Sequence, residues 1–304
     1  KSSHSFPTRR SSDLTAAATA RFLAGDLDIT DRFQIEDLDW LRRDLGNQVR
    51  LEPYLATYML AFDATLPPYN DARVRQALVM ALDREVLTGK LLKGKYSPAF
   101  GIVPPTPGYE SVLPEWAGMT DEARHERARG LYAAAGYSTH RPLEVVLWYP
   151  MSDTDTRRLM EGIAAMWRAQ LGARVRIESE EWRAFQQNRE LHQHGLIYYA
   201  RTADFPDPLT FLSLPVTGGD QNDMQYSNGQ FDAAVEQARH SVDAADRQAA
   251  YQRAERILNA DATIVPLYYY RSKHLVRDYV QGWRESLMDR HPSRDLWLGR
   301  EGAR

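Results

Sequence analysis

Apolar residues recur along this chain with two different periods, and these periods predict its helices and strands. From residue 71 to residue 87 the apolar positions lie three or four residues apart, which predicts a helix capped by Asp71. A second helix is predicted from Thr120, with acidic residues in its first turn, to Gly136. Further helices are predicted over residues 16–24, 32–45, 155–171, 182–192, 231–242 and 246–259.

Short apolar runs between these helices predict strands. The runs cover residues 49–63, 143–149, 173–178, 194–204, 262–270 and 275–280. Strand, helix and strand follow one another over residues 143–178, so a parallel pair with a right-handed crossover is expected there. The whole pattern predicts an α/β or α+β protein with a mixed sheet.

The run over residues 194–212 carries the most distinctive polar residue of the chain. An apolar, aromatic strand ends here on Asp204, just before a proline-containing turn. A carboxylate at the end of a buried strand is costly to desolvate unless a cation or a hydrogen-bond donor meets it. Asp204 is therefore a candidate anchor for a positively charged group of a ligand. The same position also suits an aspartate that only caps the following turn.

Two other arrangements of polar residues offer catalytic or metal chemistry. Asp204 and Asp207 stand three residues apart, a spacing that could bring two carboxylates together as a glycosidase requires. Nothing beside them predicts a raised pKa for one of the two and not the other. His192 and His194 stand two residues apart, which on a helix points them in opposite directions and argues against a metal site.

The composition narrows the class of protein. A chain of 304 residues, 43% hydrophobic and 26% charged, is typical of a soluble globular protein with more than one lobe. The net charge of −3 shows no excess of positive charge that would favour binding to nucleic acid. No apolar run approaches the ~18 residues that span a bilayer. The absence of cysteine excludes disulfides, thiolate metal sites and cysteine nucleophiles, and it suits an oxidising compartment.

Residues 1–14 differ from the rest of the chain. They are rich in Ser and Arg, have no apolar periodicity and lack the apolar core of a signal peptide. We expect this segment to be a non-native leader, and we expect the chain to be a fragment from which a signal peptide is absent.

Several motifs together resemble one protein family. Residues 68–85, PYNDARVRQALVMALDRE, match the pattern F/Y-x-D-x-R-V-R-Q-A-L-x-x-A-x-D-R. Further matching segments are residues 96–105, 134–137, 171–182, 203–212, 226–232 and 264–270. From about Thr15 to its end, the chain resembles the oligopeptide-binding proteins of peptide ABC transporters, which are extracytoplasmic solute-binding proteins of family 5, the peptide/nickel type.

The resemblance implies an α/β clamshell of the periplasmic-binding-protein type (class II, cluster C), with mixed sheets flanked by helices. One lobe is expected to be largely complete and the other partial. The implied division is residues 15–55 for part of the first lobe, 56–270 for the second, peptide-clamping lobe, and 271–304 for the return into the first lobe. Because most of the opposing jaw is expected to be missing, the chain alone is predicted to bind peptide weakly or not at all.

The resemblance also implies which residues meet the ligand. In the family's peptide binders, the aspartate at the position of Asp204 pairs with the peptide α-ammonium group, and the tryptophan at the position of Trp182 lines a side-chain pocket. Tyr198 replaces an arginine that helps to handle the ligand carboxylate in enteric relatives. Arg201 stands where those relatives have an aromatic residue, and either offers a different carboxylate partner or faces solvent. The other candidate ligand-binding residues are Thr202, Ala203 and Tyr226.

The function implied is capture of oligopeptides outside the cytoplasm and their delivery to the permease subunits of an ABC transporter. The protein is expected to be a periplasmic or lipid-anchored monomer, without a membrane span, a cofactor, a metal, a nucleic-acid partner or enzymatic activity. Two alternatives stay open. The same fold binds a dipeptide, a murein peptide, nickel or haem in other members, and a hydrolase would use Asp204 and Asp207.

Overall fold

A computed structural model describes residues 8–151 and 154–299 of the chain, and the side chains of residues 14–151 and 155–299. Helix α1, Thr8–Ala24, begins inside the segment that we expect to be non-native, and residues 1–7 of that segment lie outside the described residues. The chain divides into two compact units. The first unit comprises the chain up to Tyr54 and from Tyr270 onward, and the second unit comprises Leu55–Tyr269.

The second unit is built on a mixed sheet in the strand order β2-β6-β1-β5-β3-β4. β3 pairs in parallel with β4 and with β5, whereas β1 pairs antiparallel with β5, and β2 antiparallel with β6. The predicted parallel pair and the mixed sheet are therefore confirmed. The strands are β1 Val49–Phe62, β2 Ser97–Pro98, β3 Glu144–Pro150, β4 Arg174–Glu180, β5 Leu196–Thr202 and β6 Ile264–Leu275.

The starts of α3 and α4 and the end of α4 lie where their capping residues predict. Asp71 accepts from the Arg73 backbone N–H, and Thr120 accepts from that of Ala123. Gly136 follows helix α4 with a positive φ of 88°. The helices are α3 Ala72–Met80, α4 Asp121–Ala134, α5 Thr154–Leu171, α6 Trp182–Glu190, α7 Leu209–Leu212, α8 Gly229–His240 and α9 Ala244–Asp261.

Helix α3 is shorter than its apolar pattern predicts. It ends at Met80, and the apolar residues that follow belong to a separate π-helical turn, Val86–Leu91. Arg84 lies between the two and donates from Nη1 to the carbonyl of Val79, 3.3 Å away. A buried guanidinium thus satisfies a carbonyl at the end of α3, where the helix itself leaves carbonyls without partners.

The core of the second unit lies against the sheet. On β3 the burial alternates, so that Val145, Leu147 and Tyr149 are buried and their neighbours are more exposed. Trp167 of α5 is fully buried and donates from its indole nitrogen to the Leu78 carbonyl at 2.8 Å. This bond ties α5 to α3.

The first unit contains α1, helix α2 (Leu38–Leu45), and short strands β7 (Val280–Gln281) and β8 (Trp297–Leu298), which pair antiparallel. The strand predicted over residues 275–280 is not formed. Instead β6 runs on to Leu275, and Val276 forms an isolated bridge to Ile29 before the chain turns. No helix in the described part of the chain is long and apolar enough to cross a membrane.

Candidate functional site

The candidate site begins at the end of β5. This strand pairs with β1 in a register that sets Arg201 opposite Thr57 and Thr202 opposite Ala56. The pairing continues one residue further, because the Ala203 backbone N–H donates to the Leu55 carbonyl at 2.8 Å. Ala203 is buried and Thr202 is exposed. The chain is therefore held firmly up to the residue before Asp204.

Asp204 is paired with a cation of its own chain. Nη2 of Arg201 lies 2.5 Å from Oδ2 of Asp204. The Arg201 side chain is 15% exposed and that of Asp204 is 63% exposed. The expectation of a buried carboxylate that needs a ligand cation is therefore wrong for this structure, because an intrachain guanidinium meets it and most of its surface faces solvent. The carboxylate partner of Arg201 is therefore Asp204 of the same chain.

Thr210 fixes the geometry of this pair. Its carbonyl accepts from Nε of Arg201, and its hydroxyl accepts from the Asp204 backbone N–H, both at 3.0 Å. Thr210 is buried at the start of α7. The aspartate, the arginine and the threonine thus form a closed hydrogen-bonded ring. The sequence does not predict this role of Thr210, because the turn at residues 203–210 is what brings Thr210 back to Arg201.

Asp207, the other carboxylate of the turn, supports the local structure. Its Oδ1 accepts from the Leu209 backbone N–H at 2.9 Å and from the Tyr251 hydroxyl at 2.7 Å. Its Oδ2 lies 4.0 Å from Arg247. Asp204 and Asp207 therefore both accept hydrogen bonds from donors of their own chain, and neither is placed to donate a proton as the general acid that a carboxylate-pair hydrolase needs.

Tyr198 faces a cluster of tyrosines. It is buried, and its hydroxyl lies 2.8 Å from that of Tyr268. The Tyr268 ring is stacked between those of Tyr58 and Tyr96, with centroids 4.7 Å apart in both pairs. Burial raises the pKa of Tyr268 well above its ordinary value. Tyr198 is thus a packed, hydrogen-bonded residue in this structure.

The two other aromatic candidates have opposite environments. Trp182 is the first residue of α6 and is 51% exposed, and this accessible ring suits contact with a ligand. Tyr226 is buried, and its hydroxyl donates to Oδ2 of Asp261 at 2.6 Å. Burial raises the pKa of Tyr226 above its ordinary value. Tyr226 is therefore part of the packing around Asp261 in this structure.

The histidine pair considered for a metal does not share partners. His192 lies within 3.0 Å of the Gln225 side-chain amide. His194 is buried, stacks on Trp148 with centroids 4.2 Å apart, and contacts Oε2 of Glu180 at 3.0 Å. The contact with Glu180 had no signal in the sequence, because it depends on the strand order of the sheet.

The comparison with known families decides the class of protein. The model described as "Bacterial extracellular solute-binding proteins, family 5 Middle" matches residues 11–223. The chain belongs to this family.

Individual relatives agree with the family assignment. The periplasmic oligopeptide-binding protein OppA of Escherichia coli is 32% identical over 281 residues, which are 91% of this chain and 52% of the relative. OppA of Salmonella typhimurium is 33% identical over 265 residues, 86% of this chain and 49% of the relative. The chain spans about half the length of the curated relatives it matches.

Solved structures confirm the predicted fold class. The murein tripeptide-binding protein MppA of Escherichia coli superimposes with a TM-score of 0.83 at 32% identity, over 93% of this chain and 56% of its own. Haemophilus influenzae OppA in complex with the peptide RPPGFSPFR gives 0.82 at 27% identity, over 93% and 56%. The α/β fold with a mixed sheet flanked by helices is that of the periplasmic peptide-binding proteins.

Residues of the family signature, on α3 and just after it, make hydrogen bonds that stabilise the fold in this structure. Nε of Arg75 donates to the Asp261 carbonyl at 2.8 Å, and the Gln76 amide donates to that of Ala260 at 2.7 Å. These bonds satisfy carbonyls at the end of α9. Arg84 is fully buried, donates to the Pro266 carbonyl at 2.8 Å and lies 4.6 Å from the centre of the Trp116 ring. Burial lowers the pKa of Arg84 to about 9. The signature therefore identifies the family without marking the ligand site.

Proposed function

We propose that this chain supplies the peptide-anchoring part of an extracytoplasmic solute-binding protein, which captures oligopeptides and delivers them to an ABC transporter permease. The observation that carries the proposal is the exposed carboxylate of Asp204, held in place at the end of β5. The family membership and the relatives that are named for oligopeptide binding support it.

Asp204 is suited to bind the amino terminus of a peptide. Arg201 and Thr210 hold the carboxylate before any ligand arrives, so little conformational freedom is lost on binding. An ammonium group that contacts Oδ1 leaves the bond between Oδ2 and Arg201 in place. Charge-assisted hydrogen bonds of this kind are short and directional. They fix the register of the peptide and leave its side chains unconstrained.

Arg201 acts in this proposal as a positioning residue. Its guanidinium is largely covered and already bonded to Asp204 and to the Thr210 carbonyl. It therefore orients the anchor and does not hold the ligand carboxylate. Trp182 provides the exposed ring on which a ligand side chain packs. Thr202 and Ala203 contribute the backbone next to the anchor, as in recognition by added β-strand pairing.

The family membership supports three further proposals about the protein. We propose that the protein is not an enzyme, acts in the periplasm or at the cell surface, and is monomeric. The relatives' names place them in the periplasm. A murein tripeptide is the second ligand class to test, because the structure of MppA matches this chain over 93% of its length.

The anchor role of Asp204 is tested by measuring two peptides against the unaltered chain and against one variant. Tri-alanine with a free amino group and N-acetylated tri-alanine are titrated into the chain and into its Asp204→Asn variant, with binding followed by NMR up to millimolar concentrations. Removing either charge of the pair is expected to cost about 0.2–1 kcal/mol of binding free energy, as for ion pairs open to solvent, with little further loss when both are removed. NMR detects binding in the millimolar range, so weak binding of the peptides by the chain is sufficient for this comparison.

Arg201→Gln serves as the matched variant, since it alters the positioning residue and keeps the carboxylate. It is expected to weaken binding of the free-amine peptide less than Asp204→Asn does. Equal affinity of the unaltered chain for the free and the acetylated peptide would contradict the proposal.

A further inference from the structure

A group of metal-binding side chains lies in the first unit, on elements that the proposed peptide anchor does not use. It consists of His274, Asp289 and His291. Among the described residues this is the one group of three histidines or carboxylates whose ligand atoms all lie within 4.8 Å of one another. Two imidazoles and one carboxylate are a ligand set that suits divalent transition metals such as zinc.

The orientation of His274 leaves one nitrogen for a metal. His274 lies on β6 and is buried. Its Nδ1 is 2.9 Å from the Thr30 carbonyl, which can only accept a hydrogen bond, so Nδ1 carries the proton. Nε2 points to Oδ1 of Asp289 at 2.7 Å and also donates in the metal-free chain, because a carboxylate oxygen accepts; a metal ion that binds Nε2 displaces that proton while the Nδ1–H bond stays in place. A ring nitrogen bonded to a backbone carbonyl in this way is the usual second shell of a metal-binding histidine.

His291 is also held in position. Its ring stacks on Trp283 with centroids 3.7 Å apart and an angle of 15° between the planes. The Trp283 indole donates in turn to Oε1 of the buried Glu52 at 2.8 Å. Nε2 of His291 lies 3.3 Å from Oδ1 of Asp289. The separation matches the roughly 3.3 Å between neighbouring ligands of tetrahedral zinc with bonds of about 2.0–2.1 Å.

Asp289 adopts an uncommon backbone conformation that places its carboxylate between the two rings. Its φ is 53°, in the left-handed region that few residues other than glycine occupy. The Asp289 side chain is 30% exposed and that of His291 is 10% exposed, so an ion can reach the group from solvent.

A cavity of about 550 Å³ opens beside His291. It leaves room for the water or ligand that completes the coordination of a metal bound by three protein side chains. Arg284, Arg290 and Arg294 also line the cavity. Glu285 and Asp295 line it as well, so the cavity presents charges of both signs.

We propose that His274, Asp289 and His291 bind one divalent transition-metal ion through Nε2, a carboxylate oxygen and Nε2. The ion joins β6 to the segment 289–291 and replaces the hydrogen bond between His274 and Asp289, whose atoms must separate by several tenths of an ångström to admit it. This site is independent of the proposed peptide function, which uses Asp204 in the second unit.

Calorimetry with Zn²⁺ on the chelator-stripped chain tests the site. The expected result is one equivalent bound with micromolar or tighter affinity, and a loss of about tenfold or more in His291→Gln and in Asp289→Asn. His140→Gln is the matched control, because it removes an exposed histidine elsewhere and should leave the affinity unchanged. Mg²⁺, which prefers oxygen ligands, should not compete.

Two further measurements separate metal binding from a general effect on folding. Co²⁺ in place of Zn²⁺ should give the visible absorption of a four-coordinate site in the unaltered chain and in His140→Gln, but not in His291→Gln. Zn²⁺ should raise the Tm of the unaltered chain and not that of His291→Gln. The metal-free Tm and the circular dichroism of His291→Gln are measured as the control for its folding. If His291→Gln and Asp289→Asn bind Zn²⁺ like the unaltered chain, or if the chain binds no Zn²⁺ below about 100 μM, the cluster is a hydrogen-bonded network only and the proposal is wrong.

Discussion

At the scale of single residues, the second unit contains a buried acid that serves its structure. Glu255 of α9 is nearly fully buried, and its Oε2 accepts from the Tyr109 hydroxyl at 2.6 Å and from the Val112 backbone N–H at 2.7 Å. These bonds hold the proline-rich loop, residues 102–112, against the helix. Burial is the largest influence and raises the pKa of Glu255 from 4.5 to about 7.

The raised pKa predicts how stability depends on pH. In the folded chain Glu255 keeps its proton to a higher pH than in the unfolded chain, so its contribution is fully present below pH 4.5 and is lost as the pH rises to about 7. The free energy of unfolding of the unaltered chain minus that of Glu255→Gln should therefore fall by roughly 3 kcal/mol across this window. Urea unfolding at a series of pH values measures it.

Tyr109→Phe is the matched variant for this prediction. The Tyr109 hydroxyl stabilises the charged carboxylate and lowers its pKa, so without it the decline should extend to higher pH. A difference between the unaltered chain and Glu255→Gln that stays constant from pH 4.5 to 7 would show that Glu255 titrates normally.

At the scale of helices and strands, the sequence predicted the long periodic elements well and the short ones poorly. The caps at Asp71 and Thr120 and the parallel pair β3–β4 were confirmed, because local patterns determine them. The end of α3 was missed, since it depends on Arg84 meeting carbonyls brought near by folding. The two-residue strands β2, β7 and β8 are too short to show a period.

One helix end offers a direct test of local backbone strain. His192 follows α6 with a left-handed φ of 50°, and its side chain is exposed. Glycine adopts this conformation without steric cost, so His192→Gly is expected to raise the free energy of unfolding by about 0.5–1 kcal/mol. Urea unfolding measures the change.

Ala184→Gly is the matched control, because it places glycine at an exposed position inside the same helix, where it should cost about 1 kcal/mol. Effects of the same sign in the two variants would show that the conformation of His192 does not limit stability.

At the scale of the whole molecule, sequence motifs were enough to establish the family, and they singled out Asp204 as a candidate anchor. They did not reveal its environment. The pairing of Arg201 with Asp204, and the bonds of both to Thr210, depend on a turn whose course no periodic pattern encodes. The same limit explains why His274, Asp289 and His291 look scattered in the sequence, although the fold brings them together. The predicted roles of residues 15–55, 56–270 and 271–304 as parts of two lobes remain predictions.

The central claim is that the end of β5 anchors the amino terminus of a peptide. Chemical-shift mapping on the isotope-labelled chain, titrated with tri-alanine, tests it most directly. We expect the largest shifts at the backbone amides of residues 201–205, together with the Trp182 indole, and their loss when the peptide is N-acetylated. Shifts concentrated elsewhere in the chain, or equal shifts with the acetylated peptide, would contradict the claim.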